Sequence, residues 1–285
     1  MTKMIKSKKI PLRIAIIAHV FYSKIWPEIH ECITNLMSVD GIQISIFVSY
    51  TEGDQELERE IKQTLPFAKL FPVKNVGWDV WPFLRILNEL DIDDWDVVVK
   101  FHTKRDVDAM WMNFLPFLHS SGWRRALLSF ASSSCLARRT IKAFRTQQKL
   151  GMIAGERVID PGGFGMGREL RGSENMLYEI NLPINKVPFV VWGTMWAARA
   201  QLLSPIWRRW KESDFVAPSA NNSHENYGLA GECEILFGAL ICSQGYFVSS
   251  GRFPQSIARV YYFMKMHIFH FLRFILGGIK VAKID

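Results

Sequence analysis

Short apolar runs alternate with longer amphipathic segments over the first hundred residues. Four runs have the β-branched, apolar composition of strands buried on both faces: Arg13 to Val20, Ile42 to Ser49, Leu70 to Val73 and Val97 to Phe101. The segments between them have helical periodicity, and Asp79 can cap the helix before the fourth run. Alternation of strands and helices predicts an α/β fold with a Rossmann-like N-terminal parallel sheet.

The rest of the chain has a less regular pattern. We predict helices within residues 111 to 150, with Trp123 and Arg124 between two of them, and a glycine-rich mobile loop over residues 155 to 172. The remaining predicted elements are a strand at Leu150 to Ala154, helices at Ala198 to Trp207 and Glu232 to Ser243, a polar linker at Asp214 to Glu225, and a last strand at Tyr246 to Val248.

The C-terminal segment has a different composition. From residue 256 onward, apolar and aromatic residues recur at helical spacing, and Asp285 is the only acid among several lysines and arginines. This composition is typical of an amphipathic helix on an anionic membrane surface, while a helix packed on the domain or a dimer contact stays open. We therefore divide the chain into a basic N-terminal tail (1–12), one domain (13–255) and an amphipathic helix (256–285).

Composition narrows the class of protein. Of the 285 residues, 49% are hydrophobic and 22% charged, so the chain can bury a core, and its net charge of +8 favours anionic partners. The four cysteines match neither a metal motif nor a disulfide framework, which favours a reducing compartment. There is no signal-peptide pattern and no apolar run long enough to span a membrane. We expect a cytoplasmic protein attached peripherally to the inner face of the plasma membrane.

Polar side chains follow the predicted strands at the points where they end. His102 and Lys104 come directly after the fourth run, and His19, Asn75 and Asp79 lie at the ends of other runs. Ligands of open α/β sheets bind beyond the carboxyl ends of the strands, so these residues are candidates for a site. A solvated basic turn is the alternative interpretation of His102 and Lys104.

A nucleotide-sugar transferase needs a place for the nucleoside, cations for the departing diphosphate and a carboxylate base. Many such enzymes hold a divalent metal with an Asp-x-Asp pair just after the strand that corresponds to Val97 to Phe101. This chain has His102-Thr-Lys104 there. We therefore expect side-chain cations to neutralise the diphosphate, with no divalent metal and no other cofactor required.

Glu232 and Glu234 are the candidates for the base. We place them at the start of a predicted helix, where the helix dipole favours an ionised carboxylate. Since they are two residues apart, only one of them can face the site. An ordinary enrichment of acids at a helix start remains the alternative.

Other classes lack their motifs. The sequence contains no HExxH zinc motif, no Gly-x-Ser-x-Gly elbow and no Walker sequence. Basic residues with aromatics concentrate at the termini and form no nucleic-acid-binding module, so we expect no nucleic-acid partner.

Six motifs in order resemble those of the rhamnan synthesis protein F family of bacterial polysaccharide-assembly proteins. They are Ala18-His-Val-Phe-Tyr22, Asn75-Val-Gly77-Trp-Asp79 with Pro82-Phe83, Lys100-Phe-His-Thr-Lys104, Trp123-Arg124, Gly193-Thr-Met-Trp196 and the Glu-x-x-Phe-Gly-Ala run from Glu234 to Ala239. Where members often carry Asp-Gly-Thr-x-x-His, this chain has Asn226 to Gly231, so the acceptor or sugar can differ.

The resemblance implies a GT-A-like glycosyltransferase. It would transfer a hexose, with rhamnose as first choice, from a nucleoside diphosphate sugar to a lipid-linked cell-surface polysaccharide such as O-antigen, capsule or rhamnan, with inversion. The layout of Gly193 to Arg199, Glu234 and Gly245-Tyr246 favours Glu234 over Glu232 as base. The other implied roles are leaving-group stabilisation by His102 and Lys104, nucleoside binding by His19, Asn75, Gly77 and Asp79, and a sugar or acceptor pocket lined by Trp123, Arg124, Gly193 and Thr194.

Two alternatives stay open at this point. One is sugar-phosphate transfer in the same fold. The other is a non-catalytic sugar-binding or assembly protein that works with other polysaccharide-assembly enzymes at the membrane.

Overall fold

The computed structural model describes residues 10–104, 120–161, 167–183, 189–215 and 228–252, with residues 257, 260, 261, 264 and 268 of a C-terminal helix. The strands are β1 (Leu12–Val20), β2 (Ile42–Thr51), β3 (Lys69–Val73), β4 (Val97–His102), β5 (Leu150–Ala154), β6 (Ile159–Pro161), β7 (Phe189–Val191), β8 (Trp196–Arg199) and β9 (Phe247–Ser249). The α-helices are α1 (Trp26–Met37), α2 (Gln55–Thr64), α3 (Val80–Glu89), α4 (Ser120–Leu128), α5 (Ser134–Thr146), α6 (Gly167–Glu179) and α7 (Gly228–Ser243).

Within the described part of the chain, seven strands form one sheet in the order β3-β2-β1-β4-β8-β5-β9. Strands β1 to β4 are parallel, whereas β8 runs antiparallel to both of its neighbours, β4 and β5. This mixed, mostly parallel sheet confirms the predicted α/β class and the Rossmann-like N-terminal half. Because β8 runs the opposite way, the residues that lead into it lie at the edge where β1 and β4 end.

The central strand β4 is buried on both faces, as its run of valines predicts. Its side chains alternate between the faces, so that Phe101 stacks on Phe130 with ring centroids 5.4 Å apart. Lys100 points to the opposite face, where its Nζ lies 5.5 Å from the ring centroid of Phe83 on α3. That face therefore combines an apolar helix with a buried cation.

Three predictions for the second half of the chain were wrong. Trp123 lies inside α4 rather than between helices, and residues 155 to 172 include β6 and the start of α6. The glycine content suggested a loop, but an amphipathic pattern after Gly167 forms a helix. Residues 198 to 207 finish β8 and then form a 3-10 helix, Ala200–Ile206, in which Pro205 cannot donate a backbone hydrogen bond. The predicted linker lies mostly outside the described residues.

The C-terminal helix contacts the domain through Tyr261, whose hydroxyl donates to Glu156 Oε1 at 2.8 Å. Glu156 follows β5 directly, at the sheet edge where β4 also ends. Four apolar residues of the helix are more than half exposed: Ile257, Val260, Met264 and Ile268. In the residues that the structure describes, no helix has the length and apolarity needed to cross a membrane.

Candidate functional site

A row of polar side chains crosses the sheet where three neighbouring strands end. Ser49 on β2, His19 on β1 and His102 on β4 lie in register, and both histidines are at most 5% exposed. Thr103 connects the end of β4 to the end of β1. Its N–H donates to His19 O and its Oγ1 accepts from Phe21 N, each at 2.9 Å. The structure thus brings His19 and His102, each predicted to lie at a strand end, to the same edge of the sheet.

A buried lysine lies beneath this edge. Lys100 is fully buried, and its Nζ donates to Asp79 Oδ2, to Thr194 Oγ1 at 2.8 Å and to Thr194 O at 3.1 Å. Thr194 Oγ1 in turn donates to Asp79 Oδ2 at 2.5 Å. The ammonium is therefore enclosed by oxygen acceptors from two distant segments of the chain.

Asp79 is held beside Lys100 by an unusual turn. Gly77 and Trp78, just before it, both have left-handed backbone conformations, with φ of 63° and 57°. A side chain at Gly77 would not fit, because a β-carbon there would lie 2.7 Å from Trp81 Cβ and 2.8 Å from Phe215 Cδ1. The backbone shape of the Asn75-to-Asp79 motif thus positions the Asp79 carboxylate, while the side chain of Asn75 itself is exposed.

The charges at the edge are largely compensated. Burial by itself raises the pKa of Asp79, but His102, which is protonated at the low pH at which Asp79 titrates, together with Lys100 and Lys104, outweighs burial and leaves this pKa well below its usual value. Burial lowers the pKa of Lys100, and Asp79 opposes that effect. Lys104, at the mouth of the site, is partly exposed.

Both histidines of the row are neutral at physiological pH. Burial lowers the pKa of His19 to about 4 and the pKa of His102 well below 6.5. Lys100 and Lys104 are therefore the partners that keep Asp79 ionised at neutral pH. Burial therefore argues against the predicted role of His102 as a cation in this state, because desolvation favours the neutral imidazole.

Glu234 reaches the same cluster from α7. Its Oε1 accepts a hydrogen bond from Gly193 N at 2.7 Å, and its charge, like that of Asp79, partly opposes the lowering of the Lys100 pKa by burial. The predicted position at a helix start was wrong, because α7 begins at Gly228 and Glu234 lies in its second turn. The helix dipole therefore has little effect on this carboxylate.

The turn formed by Gly193 and Thr194 is strained. Gly193 binds Glu234 and Thr194 binds Asp79, so this turn connects the two carboxylates. Gly193 has φ of 72° and Thr194 has φ of 51°, a conformation that β-branched residues rarely adopt. A β-carbon at Gly193 would lie 2.5 Å from Leu127 Cδ2. Strain of this kind persists where surrounding contacts hold it, and it is frequent in functional sites.

Three other predicted residues lie away from the cluster or serve as support. Glu232 faces α6, since a β-carbon added at Gly172 would lie 2.3 Å from Glu232 Cδ. Arg124 forms a bidentate ion pair with Glu28 of α1, at 2.8 Å and 2.7 Å, and so joins α4 to α1. Trp123 is buried beneath Gly193.

Lys100 is the residue that sequence reasoning missed. The hydrophobic pattern of residues 97 to 101 predicts that Lys100 lies inside a buried strand, where a charged side chain is unexpected. A lysine two residues before His102 on the same strand face was the available signal.

Within the described segments, no group of three His, Cys, Asp or Glu side chains could hold a metal ion.

The chain matches one protein-family model and several solved structures. A family model described as rhamnan synthesis protein F matches residues 1–226. Glucosyl-3-phosphoglycerate synthase from Mycobacterium tuberculosis, in complex with Mn²⁺, UDP and glucosyl-3-phosphoglycerate, is 15% identical over 69% of this chain, with a TM-score of 0.33. The chain spans 60% of the length of that protein.

The second structure is 4-diphosphocytidyl-2C-methyl-D-erythritol synthase from Anaerococcus prevotii. It is 11% identical, with 80% of this chain and 95% of that chain covered and a TM-score of 0.33. No curated protein matches the chain.

Proposed function

The chain belongs to the rhamnan synthesis protein F family, and from this membership we propose that it is a glycosyltransferase of polysaccharide synthesis. It transfers a hexose, rhamnose in the first instance, from a nucleoside diphosphate sugar to a lipid-linked surface glycan. The observation that carries the proposal is the convergence of Asp79, Lys100, Thr194 and Glu234 at the carboxyl edge of the sheet. In open α/β sheets this edge is where ligands bind.

Glu234 is the proposed base. Its Oε1 is held by Gly193 N–H, which fixes the orientation of the carboxylate. The second oxygen takes the proton of the acceptor hydroxyl as that oxygen bonds to the anomeric carbon. The bond from the anomeric carbon to the diphosphate breaks in the same step, so the nucleoside diphosphate leaves and the configuration inverts.

Lys104 is the proposed cation for the leaving diphosphate. Lys100 is unsuited to that role, because its ammonium is fully buried and enclosed by Asp79 and Thr194.

Asp79 Oδ2 is already occupied by Lys100 and Thr194, which supports the proposal that no divalent metal is required. Activity that persists in excess chelator would agree with this proposal, and activity restored by added manganese would contradict it.

The C-terminal helix is the proposed attachment to an anionic membrane. Ile257, Val260, Met264 and Ile268 are more than half exposed, and the segment contains several lysines and arginines. Because Tyr261 is bonded to Glu156 at the catalytic edge of the sheet, a membrane under these residues would bring a lipid-linked acceptor close to Glu234.

A transfer assay with purified protein tests the function. Labelled nucleoside diphosphate sugars and a lipid-linked acceptor are supplied, and both products are identified. Glycosyl transfer releases the nucleoside diphosphate, whereas sugar-phosphate transfer releases the monophosphate. Donor binding without any transfer would instead indicate a sugar-binding protein.

A further inference from the structure

His102 has unused hydrogen-bonding capacity inside the protein. It is 3% exposed, and neither of its ring nitrogens makes a hydrogen bond of good geometry among the described residues, although Nδ1 lies 3.3 Å from Asp79 Oδ2. Leaving a buried polar group unpaired costs about 1 to 3 kcal/mol. The carboxyl edge of the sheet is where ligands of this fold class bind, so a ligand is the natural source of the missing partner.

The hydrogen bonds around His19 define which nitrogen carries its proton. The hydroxyl of Ser49 has a single proton, which it donates to Ala18 O at 3.4 Å. With the Ser49 proton assigned to Ala18 O, the contact of 3.1 Å between His19 Nδ1 and Ser49 Oγ is donated by the imidazole. His19 therefore has its proton on Nδ1, and its Nε2 is an acceptor.

The same reasoning applies to His102. Its Nδ1 lies 3.3 Å from Asp79 Oδ2, and an ionised carboxylate only accepts hydrogen bonds. A proton on Nδ1 is therefore favoured, which leaves Nε2 as an acceptor here too. Since neighbouring strands are about 4.8 Å apart, the two in-register imidazoles are spaced to accept from two adjacent hydroxyl groups.

We propose that His19 and His102 together accept hydrogen bonds from a vicinal diol of the ligand. The inference rests on the proposed function, in which this edge binds a nucleoside diphosphate sugar. A phosphate at neutral pH presents acceptors almost exclusively and cannot pair with two acceptor nitrogens. The row thus binds an uncharged polyol part of the donor, and the phosphates go to Lys104. The diol comes from the ribose of the nucleotide or from the transferred sugar.

Hydroxyl-deletion binding experiments test the proposal on the full-length protein. Dissociation constants are measured by calorimetry for UDP, GDP, CDP and ADP and for their 2′-deoxy counterparts. A second arm uses rhamnose 1-phosphate and glucose 1-phosphate with their 2-deoxy and 3-deoxy analogues. We expect deletion of a hydroxyl to weaken binding at least tenfold in one arm, and that arm identifies the source of the diol.

The variants His19→Phe and His102→Phe remove the acceptors and keep an aromatic ring. In both variants the wild-type ratio between hydroxyl and deoxy ligands should fall to nearly one, and the ratio should be unchanged in the control His30→Phe, at a half-buried histidine of α1. Because the ratio is taken within each variant, a partly destabilised protein still gives a valid result. Unchanged ratios, or weaker binding of inorganic pyrophosphate to His102→Phe, would overturn the proposal.

The outcomes separate this proposal from the proposed function. Hydroxyl discrimination that depends on both histidines, without any sugar transfer, would support the diol site and contradict the transferase. Transfer with unchanged discrimination in the variants would contradict the diol site alone. A wild-type protein that binds none of these ligands would contradict both.

Discussion

Lys100 and Asp79 form an ion pair in which the ammonium is fully buried and the carboxylate is 19% exposed. A pair of this kind is costly to break, because removal of one partner leaves the other charge without compensation. Both members of the pair also bond to Thr194. A variant that breaks the pair should therefore lower stability and also displace Thr194 within the candidate site.

Removal of either partner alone should therefore destabilise the protein strongly. We expect Lys100→Met and Asp79→Asn each to lower the free energy of unfolding by about 3 to 5 kcal/mol. The double variant should lose less than the sum of the single variants. Urea unfolding measures all three, and Lys74→Met, at an ion pair with a 67% exposed lysine side chain, should change stability by less than about 1 kcal/mol. Additive losses would contradict the coupling.

Thr194 should be sensitive to loss of its hydroxyl. Thr194→Val keeps the shape of the side chain but removes the oxygen that accepts from Lys100 and donates to Asp79. We expect a loss of about 1 to 3 kcal/mol in stability and a lower kcat, whereas Thr194→Ser should retain most of both. Unfolding curves and steady-state kinetics check this, and equal behaviour of the two variants would rule out the hydroxyl as the cause.

Glu234→Gln should abolish most of the transfer activity and spare donor binding. A glutamine can still accept the hydrogen bond from Gly193 N but cannot take a proton, so kcat should fall by about 10² to 10⁴. The matched control is Glu232→Gln, which changes a carboxylate that faces α6 and should alter kcat by a small factor. The base assignment would not survive wild-type turnover in Glu234→Gln.

The buried histidines should make the protein sensitive to acid. The pKa of His19 is about 4 in the folded protein and about 6.5 in the unfolded chain, so the unfolded chain binds more protons between these values. Stability is then complete above pH 6.5 and falls as the pH decreases towards 4, by up to about 1.4 kcal/mol per pH unit for each buried histidine. Unfolding free energies at a series of pH values measure the slope. His19→Gln should make it shallower, and an unchanged slope would argue against a buried neutral His19.

The exposed stripe of the C-terminal helix should control binding to anionic vesicles. We expect Ile257→Ser combined with Met264→Ser to weaken cosedimentation with phosphatidylglycerol vesicles at least tenfold, because apolar area that enters the lipid is lost. Tyr178→Ser, at an exposed apolar residue elsewhere, serves as control. Vesicle binding that is equal in all three proteins would contradict the membrane proposal.

The strands that form the floor of the site could be predicted from sequence. Val97 to Val99 and Ile14 to Ile17 are continuous β-branched or apolar runs, and such runs indicate strands buried on both faces. Their order in the chain then placed His19 and His102 at one edge. Both predictions depend on local pattern, which a single sequence contains.

The contacts that complete the site could not be predicted in the same way. Thr194 meets Lys100 across 94 positions of sequence, and that meeting depends on the reversed direction of the four-residue strand β8. Nothing in Trp-Ala-Ala-Arg indicates direction, since pairing with β4 and β5 decides it. The neutral state of His102 was missed for a related reason, because burial follows from tertiary packing.

The reversed strand also makes the two halves of the chain dependent on each other. The parallel strands β1 to β4 supply the lysine, and the segment that leads into β8 supplies the threonine oxygens that solvate it in place of water. A protein cut before residue 189 would retain the Rossmann-like half but expose the apolar strand β4, which β8 covers on one edge, and would lose the threonine that holds Lys100. The first half is therefore a poor candidate for an autonomous folding unit, and expression of it alone should yield aggregated or rapidly degraded material.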